Sequence, residues 1–196
     1  MKPISEKELN WKIKLSKNRF FQFHHSRGYV REALSNLWGI EALEIPLIAP
    51  PGKPPKLKNK FGNISFSHCI DGLLIGWSNQ NIGVDIERID RQFEAKTIYE
   101  KFFANSEKEL LRKCSEREVR QAVLNYWVRK EAAIKWQKGS IYKDIHNWIF
   151  EAQSNSIINR KDEISLYSYF TKYKSWYISI ATKIQMPNMP SICVFN

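Results

Sequence analysis

Residues Gly83 to Glu87 read GVDIE, and no other stretch of the chain restricts its structure as tightly. Val84 and Ile86 alternate with Asp85 and Glu87. On a β-strand the aliphatic pair turns to one face, and the two carboxylates, at i and i+2, turn to the other. Further on, Trp127 to Lys135 reads WVRKEAAIK, a helical text that puts Trp127, Glu131 and Lys135 at i, i+4 and i+8 on one face. Three acids and a lysine on rigid elements can hold a hard divalent cation beside a phosphate. Each motif also has an ordinary reading. Asp85 and Glu87 serve equally as strand-end charges, and Lys130, Glu131 and Lys135 as salt-bridge decoration of an exposed helix.

The text around these motifs alternates between two periods. From about Ser16 to Leu47, Val30, Leu34, Leu37 and Trp38 make an apolar helical stripe flanked by Arg27 and Arg31. Ala49 to Asn63 holds four prolines and two glycines, which exclude regular structure and predict an ordered loop or linker. Ile64 to His68 and Leu73 to Ser78 read as strands around an Asp71-Gly72 turn. Asn79-Gln80-Asn81 then turns the chain into GVDIE. Ile98 to Lys113 and Glu118 to Lys138 read as helices, with a capping box at Ser106 and Glu109 and a stop at Gly139. Trp148–Ala152, Ile164–Phe170, Trp176–Thr182 and Ile192–Phe195 read as antiparallel strands. Long helices beside hairpin-connected strands define an α+β fold.

The bulk properties exclude several classes. At 43% hydrophobic and 13% aromatic residues, the 196-residue chain can fill one good core or two small ones. No apolar run approaches the roughly 20 residues of a membrane span. The opening MKPISEKELNWKIK has no apolar centre and does not read as a signal peptide, so a cytoplasmic protein is expected. Cys69, Cys114 and Cys193 show no CxxC or zinc spacing and are expected as reduced, mostly buried thiols. His24 and His25 have no acid at ligand spacing. The net charge of +11 fits a solvated basic surface or an acidic partner, whether nucleic acid, an anionic cofactor or an acidic protein. No RNA-binding aromatic motif or DNA-reading helix is present. In Gly52-Lys53-Pro54 the free amides and Lys53 can receive an anionic or purine-bearing ligand, or the tripeptide is only a turn. His68, alone at a strand end, reads first as a structural histidine.

Taken in order, GKP at Gly52–Pro54, SFSH at Ser65–His68, GVDIE, FFANSE at Phe102–Glu107 and WVRKEAAIK resemble the Sfp-type 4'-phosphopantetheinyl transferases. These are enzymes of the holo-carrier-protein synthase superfamily that prime carrier proteins. The resemblance runs from about Arg19 to Asp144. It implies two similar α+β halves packed as a pseudo-dimer, divided near Gly83 into residues 1–82 and 83–196, with coenzyme A in the cleft and a monomeric state. It further implies a magnesium site at Asp85, Glu87 and Glu131, with Glu131 also a proposed general base. Lys135, touching the coenzyme A phosphates, and Glu107, an acid near the metal, would be catalytic residues with Glu131. Gly52, Lys53 and Pro54 would hold the nucleotide end, and Ser67 and His68 the 3'-phosphate. Arg19 is the first choice of N-terminal cation there, ahead of Arg27 and Arg31. The text departs from the family at NISFSHC, where NISHS is usual, and at QKGSIY, where GxGL is common.

The implied reaction moves 4'-phosphopantetheine from coenzyme A to a serine of an apo acyl or peptidyl carrier protein and releases 3',5'-ADP. That serves fatty acid or polyketide biosynthesis. The nucleophile belongs to the partner, which accounts for the lack of a nucleophile motif here, and acidic carriers suit a +11 enzyme. A magnesium-dependent nuclease is the alternative enzyme. Its D…(D/E)xK spacing is not met, because Arg88 follows Glu87 directly and Lys135 lies four residues beyond Glu131. A basic, non-catalytic binding module would leave the ordered acids unexplained.

Overall fold

The structure is a computed structural model and describes residues 2–11, 15–58, 60–186, 192 and 194. Its N-terminal half runs α1 (Glu6–Asn10), α2 (Lys17–Trp38), β1 (Leu47–Ile48), β2 (Lys56–Leu57), β3 (Asn63–His68) and β4 (Leu73–Ser78). The long helix α2 turns Val30 and Leu34 inward, where they share a core with Ile45, Leu47, Ala49 and Ile64. Each such buried aliphatic side chain contributes roughly 1.5–3 kcal/mol. Arg31 ties α1 to this core. Its Nε meets Glu8 at 3.1 Å and its Nη1 donates to Ile45 O at 2.7 Å, both out of solvent.

The second half continues with β5 (Ile82–Arg88), α3 (Ala95–Phe102), α4 (Asn105–Leu111), α5 (Glu116–Gln137) and α6 (Ile141–Asp144). It closes with β6 (Trp148–Glu151), β7 (Ser156–Asn159), β8 (Ile164–Tyr173) and β9 (Trp176–Thr182). An antiparallel sheet forms in the order β5-β9-β8-β7-β6. Helix α5 buries Ala132, Ala133 and Ile134 against Trp148, Ile157, Leu166 and Ala181 of that sheet. The molecule is therefore α+β, with the 22-residue helices α2 and α5 packed beside antiparallel strands.

Two glycines determine how closely the elements meet. A Cβ on Gly83 would stand 1.9 Å from Ala132 O and 2.4 Å from Trp136 N, so α5 can lie directly on β5 only because residue 83 is glycine. A Cβ on Gly76 would stand 2.4 Å from Val84 Cγ1, so β4 needs the same absence where it covers β5. Ser65 Oγ accepts the Val84 N–H at 3.1 Å and links β3 to β5 through a side chain. The start of GVDIE is thus the point where α5, β3 and β4 all meet β5.

Several expectations are corrected. The first long helix stops at Trp38, where Gly39 adopts φ 66° and donates to Ser35 O. The proline-rich segment is not wholly irregular, since Lys56–Leu57 pairs with Leu47–Ile48. The helix expected over Ile98–Lys113 breaks between Phe102 and Asn105. Glu107, not Glu109, reaches back to the start of α4, accepting the Ala104 N–H at 2.9 Å. Helix α5 ends on Lys138 in the left-handed region at φ 59°, one residue before Gly139. Strand β7 was not legible as a separate element. Cys69 and Cys114 are free and only partly buried. Cys193 lies outside the described residues, as does most of the Ile192–Phe195 segment. No helix among the described residues is long and apolar enough to cross a membrane.

Candidate active site

Strand β5 pairs with β9 in a register that sets Asp85 opposite Ser179 and Glu87 opposite Tyr177. Alternation sends both acids to the face covered by α5, and the close approach at Gly83 brings Glu131 down onto them. One carboxylate oxygen from each of Asp85, Glu87 and Glu131 lies within 4.8 Å of the others. Lys135, one turn beyond Glu131, places Nζ 2.6 Å from Asp85 Oδ1, 2.7 Å from Ser67 Oγ and 3.7 Å from Glu131. Ser67 itself donates to Asp85 Oδ1 at 2.7 Å. Arg91 pairs with Glu87 Oε1.

These contacts leave the cluster short of positive charge. Burial, then Asp85, push the Glu131 carboxyl up to about 8, against the pull of Lys135. Burial also raises Glu87, opposed by Arg91. Burial would lower Lys135, but Asp85 and Glu131 outweigh it and the ammonium is held above its ordinary range. Asp85 Oδ2 is buried without a hydrogen-bond partner. An unpartnered buried acid oxygen within an oxygen-only donor set fits a hard divalent cation such as magnesium.

The remaining candidates fall in different places. His68, next to Ser67, is exposed at the end of β3, yet partial desolvation, with Lys135 and Arg27 nearby, lowers its ring pKa. Arg27 lies over the rings of Phe23 and Phe66 at 4.0 and 5.1 Å, and desolvation lowers its guanidinium to about 10. Arg19 is exposed in the first turn of α2, about 12 Å along the helix from Arg27 at ~1.5 Å per residue. The cation beside His68 is therefore Arg27. Gly52, at φ 70°, and Lys53 are exposed in a turn closed by Lys53 N–H on Pro50 O at 3.3 Å, with Pro54 partly buried behind them. That turn follows Ala49, whose carbonyl accepts from Arg27 Nε at 3.1 Å.

Glu107 does not join the acids. It is 1% exposed, and its carboxylate accepts from Lys130 Nζ at 2.8 Å, from Ala104 N–H at 2.9 Å and from Phe150 N–H at 3.1 Å. Both oxygens are engaged in joining α4, α5 and β6. Lys130, for which helix salt-bridge decoration was one reading of the sequence, is wholly buried, and its adjacent position to Glu131 gave no local sign of that. Arg91 was missed because its contact crosses a turn after β5 and has no helical period to announce it.

The fold and the cluster thus define an α+β protein with three converging carboxylates flanked by basic side chains. Residues 81–183 match the family model of the 4'-phosphopantetheinyl transferase superfamily, and the chain belongs to that superfamily. It is similar to the 4'-phosphopantetheinyl transferase HetI of Nostoc sp. (strain PCC 7120 / SAG 25.82 / UTEX 2576), with 26% identity over 130 residues, 60% of this chain and 54% of HetI. It is also similar to the 4'-phosphopantetheinyl transferase gsp of Aneurinibacillus migulanus, with 27% identity over 141 residues, 65% of this chain and 59% of that protein. The chain therefore spans somewhat over half the length of these curated relatives.

Proposed function

We propose that this protein transfers 4'-phosphopantetheine from coenzyme A to a serine of an apo carrier protein. The observation that carries the reading is the buried, unpartnered Asp85 Oδ2 among three converging carboxylates, with Lys135 beside it. In the reaction the serine oxygen bonds to the pantetheine-side phosphorus, and the bridging bond of the diphosphate breaks. The bridging oxygen leaves with 3',5'-ADP, and the serine proton passes to a carboxylate, for which Glu131 is our choice.

Asp85, Glu87 and Glu131 would hold magnesium, which when bound neutralises charge on the diphosphate. Lys135, held on Asp85 Oδ1, supplies a fixed ammonium beside the phosphates where charge develops. Arg27, His68 and the Lys53 turn receive the 3'-phosphate and nucleotide end. Helix α5 and strand β5 hold acids and ammonium in one geometry, so binding requires little reorganisation. In this reading residues 1–82 and 83–196 are the two walls of the coenzyme cleft. The partner is an acidic carrier drawn to a +11 surface, and the protein works as a cytoplasmic monomer.

The deciding experiment incubates the protein with magnesium, coenzyme A and an apo carrier protein, then weighs the carrier. A mass gain of one phosphopantetheine, abolished by EDTA, is expected. An unmodified carrier at full magnesium across acyl and peptidyl types would defeat the proposal, as would transfer that survives EDTA.

A further inference from the structure

Asp85 and Glu87 are each held at one oxygen by basic groups. On Asp85, Lys135 and Ser67 take Oδ1 and leave Oδ2 without a partner. On Glu87, the guanidinium of Arg91 takes Oε1, and Glu87 still brings an oxygen within 4.8 Å of Asp85 and Glu131. The two arrangements are counterparts, but only Lys135 comes from the helix opposite. Arg91 comes from the turn that leaves β5.

That turn is fastened at several points. Arg91 N–H donates to Arg88 O at 3.1 Å, and Arg91 O accepts from Arg120. Arg88 is itself fixed, its Nε on Asp90 at 2.7 Å and its Nη1 paired with Asp71. Arg120 lies 5.6 Å from the ring of Phe93. Beneath Arg91, Ile98, Val123, Leu124 and Trp127 form an apolar wall. The guanidinium therefore reaches Glu87 Oε1 through Nη1 from a backbone that is held in place, and a donor fixed in that way sets the direction of the carboxylate.

Building on the metal-assisted reading above, we propose that Arg91 is a positioning residue of the cation site, orienting Glu87 as Lys135 and Ser67 orient Asp85. Groups that hydrogen-bond a metal ligand fix its direction, and their loss typically weakens metal affinity by about 10–100-fold. The opposite role, a cation competing with the metal for Glu87, has the opposite signature, since its removal would tighten binding.

Calorimetric titration of Mn2+ into the full chain, with neither coenzyme A nor carrier present, separates the two. Arg91→Gln should weaken Mn2+ binding roughly 10–100-fold, and Arg91→Lys, which keeps the charge, should recover part of it. Because the Arg91–Glu87 pair is partly exposed, the melting temperature of both variants in EDTA should stay near wild type, which separates positioning from loss of fold. Unchanged or tighter Mn2+ binding by Arg91→Gln overturns the role of Arg91 and leaves the transferase reading standing. A wild-type protein that binds no Mn2+ overturns both.

Discussion

Lys130 and Glu131 are neighbours on α5, yet they belong to opposite kinds of site. Lys130 is wholly buried, donates to Glu107 and to Trp148 O, and lies 4.8 Å from the Phe103 ring. Every oxygen of its partner Glu107 is also used. Around Glu131, one residue on, carboxylates outnumber the cations beside them and an acid oxygen has no partner. A closed ion pair can only lose when something is added or removed. An open cluster is raised in free energy until a ligand arrives. The helix thus carries a fastener and, in the function proposed above, a socket, turned to different sides by a single residue of rotation, about 100° at 3.6 residues per turn.

The comparison breaks most visibly at Asp85. Asp85→Ala should abolish phosphopantetheine transfer and Mn2+ binding while lowering the melting temperature in EDTA less than Lys130→Met does, because the lost Lys135 pair is offset by relief of the acid cluster. A variant that melts well below wild type in EDTA but still binds Mn2+ would make Asp85 structural and close the socket.

Lys130→Met should do the reverse. Removing one member of a buried pair leaves the other charge uncompensated and typically costs about 3–5 kcal/mol. Urea unfolding should register that loss, while Mn2+ affinity measured on the folded fraction stays near wild type. If stability hardly moves and metal affinity collapses, the fastener is part of the socket.

Which parts of this were legible in advance follows from the range of the interactions. The facing of Asp85 and Glu87 is a property of strand alternation, and the alignment of Glu131 with Lys135 is a property of the helix. Both periods are written in adjacent letters. The need for glycine at position 83 was visible only as a letter of a motif, since its reason is the Ala132 carbonyl across the interface. The break between α3 and α4 carries no proline or glycine. It depends on the capping of Ala104 by Glu107, itself held by Lys130 and Phe150 from distant segments. The same long-range contacts engage both oxygens of Glu107 away from the three clustered acids. That Arg27 rather than Arg19 neighbours His68 follows from the rise of the helix, and no short motif encodes that.

A smaller effect is the pH dependence of the metal-free protein. Glu131 has a folded value near 8 against an ordinary 4.5, so the folded state keeps a proton that the unfolded chain releases in between. Stability should therefore be greatest below about pH 4.5 as far as this group is concerned, and should fall as pH rises towards 8, by up to a few kcal/mol. Glu87, raised in the same direction, adds to the slope. Urea unfolding in EDTA across that range should show the decline, and Glu131→Gln should flatten it. A wild-type profile that is flat or rises with pH would mean the cluster is already charge-balanced.

The smallest effect tests a site intermediate between the two kinds. Arg27 has Nε on Ala49 O and Nη1 on Ser26 Oγ, and its face covers Phe23, so it is half fastened. If the other half is a socket for the 3'-phosphate, dephospho-coenzyme A should be the poorer substrate for wild type. A lost charge-assisted hydrogen bond corresponds to roughly 10- to 100-fold in KM at about 1.5–3 kcal/mol. Arg27→Gln should erase most of that preference, and His68→Ala part of it, while Arg19→Ala should retain it. The ratio of the two KM values is the useful readout, because a general loss of packing around Phe23 would raise both and leave their ratio unchanged. Should Arg19→Ala erase the preference and Arg27→Gln keep it, the 3'-phosphate lies at the first turn of α2, and Arg27 is a fastener after all.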